Sequence, residues 1–119
     1  MPMTTVVPHP LPAPLVELIA ERFRVLAEPM RIRLLDALRE APATVGDLQE
    51  ATGASQQNVS KHLGLLLRSG LVSRSKEGNF SIYAIADEGV FELCELVCGG
   101  LRRQLDDMNA TIPGGVSER

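Results

Sequence analysis

Cys94 and Cys98 stand four residues apart in FELCELVCGGL, and they are the only cysteines among 119 residues. On a helix that spacing puts both side chains on one face, with Cβ atoms about 5–6 Å apart. A disulfide needs Cβ atoms about 3.5–4.5 Å apart, so oxidation within the helix is disfavoured. It would need a second subunit or a bridging persulfide. Two thiolates so placed can share a tetrahedral transition-metal ion, such as zinc or nickel. Further ligands would come from a partner chain, from His9 in the PHP stretch, or from nearby carboxylates. The alternative is that both cysteines fill an apolar seam, as unliganded cysteine commonly does.

A second chemical set lies in GASQQNVSKHLGLLLRSGLV, residues 53–72. Helical spacing gathers Val59, Leu63, Leu66 and Leu67 on one face, fit to pack inward. Ser55, Gln56, Gln57, Asn58, Ser60 and Lys61 crowd the N-terminal turns. Glutamine and asparagine can pair with adenine edges through two hydrogen bonds, serine suits several edges, and lysine reaches guanine or phosphate. A helix that enters the major groove presents such residues near its N-terminus. His62 falls on the edge of the buried face, as either a base contact or a flanking packing residue. Arg74, Lys76 and Asn79 follow, placed to touch the DNA backbone or the adjacent minor groove. Between Ser55 and Phe80 four cations face one anion, a local surplus of +3 in a chain of net charge −3. Phosphate contacts draw on such a concentration of positive charge.

These residues need elements to hold them. Five prolines in the first fourteen positions give an extended arm over residues 1–14. Leu15, Ile19, Phe23 and Leu26 then recur at helical spacing, and Pro29 opens a second helix with Ile32, Leu35 and Leu38 inward. Thr44 with Asp47 reads as a capping box for a short helix that Gly53 stops. Ser55 caps the next helix, which Gly70 closes. The period then changes to two in LVSRS and FSIYAIA, with KEGN as the hairpin punctuation between them. Asp87 caps a final helix on which Val90, Cys94, Val97, Leu101, Leu105 and Met108 form an apolar stripe. The layout is mainly α with a small β-hairpin, a winged helix-turn-helix over residues 15–109 followed by a tail at 110–119.

Hydrophobic residues make up 45% of the chain, aromatics 3% and charged residues 23%, which fits one domain with an aliphatic core. Neither a secretory signal nor a run of the ~20 apolar residues needed to span a membrane is expected, so the protein reads as cytoplasmic. The apolar stripes on the first and last helices exceed what so small a domain can bury, which points to a homodimer. Two reading helices would then lie about one DNA turn apart, ~34 Å.

EPMRIRLLDAL, VSKHLGLLLRSGLV and the EGNFSIYAI wing resemble the ArsR family of bacterial repressors, from about Leu15 to Asn109. The resemblance implies a homodimer built from the first and last helices, binding double-stranded DNA at an imperfect palindrome and released by an inducer. Two familiar sensor sites of that family are missing. TVGDLQEATG holds no cysteine, and the last helix holds no histidine. The expectation is a sequence-specific transcriptional repressor whose affinity responds to a metal ion or redox signal. The alternatives are a ligand-independent regulator or a winged-helix module that docks protein. No arrangement expected of an enzyme is visible.

Overall fold

Local signals set most helix ends. The computed structural model describes residues 7–111, with positions 110 and 111 described by their backbone alone. Residues 1–6 of the expected arm and 112–119 of the expected tail lie outside the described residues. Helix α1 spans Ala13–Leu26, with Pro14 in its first turn, where a missing N–H costs nothing. Helix α2 spans Pro29–Glu40, and the Glu28 carboxylate accepts from the Met30 and Arg31 amides at 2.7 and 3.2 Å. Helix α3 spans Val45–Thr52 and carries the full capping box, Thr44 and Asp47 each accepting from the other's amide at 3.1 Å. Gly53 ends it at φ 76°, a left-handed position that suits glycine.

Helix α4 spans Gln56–Arg68, and Ser55 Oγ accepts from the Asn58 amide at 3.1 Å. Its far end is a Schellman motif: the Leu71 amide donates to the Leu66 carbonyl at 3.0 Å and the Gly70 amide to Leu67 at 3.1 Å. Leu66 and Leu71, which that motif brings together, are both fully buried.

Strands β1 (Val72–Glu77) and β2 (Phe80–Ile85) pair antiparallel, with Val72 opposite Ile85 and Glu77 opposite Phe80. The strands therefore run further than KEGN implies, and only Gly78 and Asn79 form the turn. Gly78 has φ +62°, as a two-residue hairpin turn with glycine first requires. Ala43, between α2 and α3, exchanges two backbone hydrogen bonds with Tyr83 at 2.9 and 2.8 Å. This adds a third, one-residue rung to the hairpin's edge.

Leu34, Leu35 and Leu38 of α2 pack with Leu48 of α3, Val59, Leu63 and Leu66 of α4, and Tyr83 of β2. Ile32, expected inward, is 47% exposed. The buried stripe is centred on Leu34, Leu35 and Leu38, and at roughly 100° per residue Ile32 falls to its flank.

The chain divides into two compact units, one ending at Ala86 and the other beginning at Asp87. The second unit is built on α5, Gly89–Thr111, which carries on past the expected boundary at 109. Asp87 accepts from the Gly89 amide at 3.0 Å at its start. No helix among the described residues is long and apolar enough to cross a membrane.

Candidate nucleic-acid interface

Helix α4 separates its two faces cleanly. Val59, Leu63 and Leu66 are fully buried and Leu67 is half-buried, while Ser55, Gln56, Gln57, Ser60 and Lys61 are exposed and Asn58 is half-buried. The exposed set occupies the first turn and a half. Three residues, Gly53 to Ser55, join α3 to α4, which is the tight joint of a helix-turn-helix.

On the hairpin, Arg74 lies opposite Tyr83 and Lys76 opposite Ser81, so both cations stand on one face. Both are exposed, as is Asn79 in the turn. Phe80 was not singled out in the sequence. It stands beside the turn at 64% exposure, opposite Glu77 on the other face. Its signal was the strand alternation itself, which puts residue 80 out of phase with buried Tyr83.

His62 is the one candidate DNA contact that turns inward, at 6% exposure. Its Nδ1 lies 3.1 Å from Arg31 Nη1, and its Nε2 lies 3.9 Å from a Glu28 carboxylate oxygen. A guanidinium only donates, so Nδ1 accepts and the neutral ring carries its proton on Nε2. Burial, aided by the Arg31 and Lys61 cations, pushes the imidazole below the ordinary 6.5 against the pull of Glu28. For Glu28, partial desolvation acts upward. The Arg31 and Met30 amides and the charges of His62 and Arg31 outweigh it and hold the carboxyl below 4.5. Sequence reading left His62 open between two roles and missed Arg31, because a contact across 31 residues leaves no periodic trace.

The other candidates fall in two places. On α1, Leu15, Ile19 and Leu26 are half-buried and Phe23 is about half exposed. On α5, Val90 is buried, whereas Val97, Leu101, Leu105 and Met108 are each about half exposed. Cys94 and Cys98 are exposed free thiols. His9 is exposed ahead of α1. Among the described residues no group of three or more His, Cys, Asp or Glu is placed to hold a metal ion.

A family model described as a helix-turn-helix domain matches residues 26–74. The uncharacterized HTH-type transcriptional regulator Rv0081 of Mycobacterium tuberculosis is 40% identical over 100 residues, covering 83% of this chain and 88% of that protein. Its crystal structure superposes with a TM-score of 0.72 at 39% identity, covering 82% of this chain and 98% of that one. The homodimeric winged helix-turn-helix DNA-binding domain of Mb0332 from Mycobacterium bovis, "a possible ArsR-family transcriptional regulator", superposes at 0.71 and 32% identity, over 80% and 88% of the two chains. The "Probable mercury resistance operon repressor" of Streptomyces lividans is 36% identical over 77 residues, covering 65% and 62%.

Proposed function

Because the chain belongs to the ArsR family of winged helix-turn-helix DNA-binding transcriptional regulators, we propose that it represses transcription by gripping an operator as a homodimer. The carrying observation is the division of α4. Its aliphatic face is fully buried, while two glutamines, a serine and a lysine stand free at its N-terminal end. That face has no packing task and has the chemistry to read base edges. Arg74 and Lys76 on one hairpin face supply phosphate contacts beside it, which fix register rather than sequence. Leu101, Leu105 and neighbours on α5, with Phe23 on α1, supply apolar surface for a second copy. The homodimeric Mb0332 domain supports that arrangement. The operator is then an imperfect palindrome, and the dimer works in the cytoplasm.

The repressor's signal is a transition metal ion or an oxidant acting at Cys94 and Cys98. Two exposed thiols one helical turn apart would hold a thiophilic or borderline ion, and the naming of one relative for mercury resistance supports this. The ion would tie together groups that are otherwise independent and so shift the dimer's geometry. Their place along the apolar stripe favours a second reading, in which the cysteines only pack and the regulator needs no ligand. In that reading, as in the first, the protein is not an enzyme.

A fluorescently labelled fragment of the chain's own promoter region tests both readings. Affinity is measured against salt, with nickel, zinc, cobalt or a persulfide donor added in turn. Affinity falls linearly on logarithmic axes, and Lys61→Ala and Arg74→Ala each lower the slope by about one. The effective ion weakens wild-type binding and leaves Cys94→Ser/Cys98→Ser unaffected. Unaltered slopes overturn the DNA contacts, and equal responses overturn the cysteine site.

A further inference from the structure

Arg31 reaches three helices from one position. Its Nε donates to the Val25 carbonyl in the last turn of α1 at 2.6 Å, and its backbone amide donates to the Glu28 cap of α2. Its Nη1 donates to His62 Nδ1 in the middle of α4. His62 directly follows Lys61 and lies two residues after Ser60, yet its ring is buried. It therefore belongs to the reading half of α4 without facing DNA.

The rest of the seat of the reading half of α4 is aliphatic, and another side-chain hydrogen bond to the helix, from Arg22 Nη2 on α1 to the Ser69 carbonyl at 3.2 Å, lies at its far end. Val59, Leu63 and Leu66 hold the helix by burial, which is non-directional and tolerates small rotations. Base-edge hydrogen bonds do not tolerate them, since a recognition constellation must be held within about 0.5 Å. A directional contact between α4 and a fixed point is what the aliphatic face lacks, and Arg31 supplies it.

We propose that Arg31 and His62 are positioning residues for operator recognition: their contact sets the seat of α4 against the end of α1 and the start of α2, and a proton on His62 Nδ1 releases it. Once protonated, the ring has no lone pair for Arg31 and places a second cation against the guanidinium. The charges acting on the ring come from Glu28 and Arg31 on α2 and from Lys61 on α4. Of these only Glu28 favours the proton. The device is therefore set toward binding at neutral pH and toward release as acidity rises.

The inference rests on α4 being the reading helix. If that reading fails, Lys61→Ala binds the operator as wild type does. The experiment itself follows operator affinity of the full chain between about pH 8 and about pH 5.5 at constant ionic strength. Wild type loses about tenfold across that range. His62→Gln, which keeps an acceptor and cannot take the proton, holds one affinity from end to end of the range, whatever that affinity is. Arg31→Met binds about tenfold more weakly than wild type at the alkaline end and meets it at the acid end, because the contact it lacks is the one the proton breaks. His9 is present in all three proteins, so their difference isolates position 62. Should Arg31→Met fail to fold, the comparison of His62→Gln with wild type still decides. The ring's nitrogen resonances at neutral pH give a further signature, a proton on Nε2 and none on Nδ1. Parallel pH profiles for wild type and His62→Gln, or a proton on Nδ1, overturn the proposal.

Discussion

Ser55 carries two tasks that one substitution can separate. Its hydroxyl caps α4 by accepting from the Asn58 amide, and the proposed interface sets this exposed residue beside phosphate. Ser55→Ala removes the cap and costs about 1 kcal/mol, a fall of about 4 °C in melting temperature. Ser55→Asp keeps the cap and suits the positive end of the helix dipole, so its melting temperature matches wild type. It also places an anion against the DNA backbone, and operator affinity falls at least about tenfold. Calorimetry beside anisotropy checks both halves, and tight binding by Ser55→Asp would remove Ser55 from the interface. Both caps, Ser55 and the Thr44–Asp47 pair, were legible in the sequence because a cap and its amide lie three residues apart. His62 was legible only as a residue on a boundary. What turned it inward is Arg31, far away along the chain, and no local spacing encodes that.

At the scale of elements, periodicity served the helices better than the hairpin. Stripes of leucine placed α2 and α4, but on α2 they put Ile32 inward and passed over Leu34, which is fully buried. KEGN reads as hairpin punctuation between two β-type runs, yet Lys76 and Glu77, poor strand formers, continue β1. Cross-strand pairing overrides the weak propensity, and it is anchored at the base by the Ala86 amide donating to the Leu71 carbonyl and by the rung at Ala43. The tip has no such support, and Gly78 at φ +62° bears the turn. Gly78→Ala forces a side chain into that left-handed position at a cost of about 1 kcal/mol. The expected outcome is faster amide exchange in β1 and β2 around Arg74 and Lys76, a melting temperature lowered by only a few degrees, and several-fold weaker operator binding. Unchanged binding with a frayed tip would show that the hairpin does not take part in the grip.

For the whole molecule, the decisive quantity is how much apolar surface a single chain leaves uncovered. Val97, Leu101, Leu105 and Met108 recur at spacings of three and four along a helix of 23 residues, and each remains about half exposed. The sequence showed this stripe and its excess over what one domain can bury. It could not show that Val90, at the stripe's start, is buried while the rest stays open. In the proposed homodimer, surface of this kind is the seat of the second copy. Leu105→Glu places a charge in the middle of it while changing a position already half in water, so α5 and the first unit keep their helical content. Sedimentation should then find a monomer at micromolar concentration. Operator affinity should fall at least about a hundredfold, because a monomer engages one half-site and forfeits the effective concentration that links the two. Affinity for a single half-site should stay near that of wild type, since Gln56, Gln57 and Lys61 are untouched. A Leu105→Glu protein that still sediments as a dimer would place the interface away from this stripe. A monomer that loses half-site binding as well would mean that α4 depends on the partner for its own geometry.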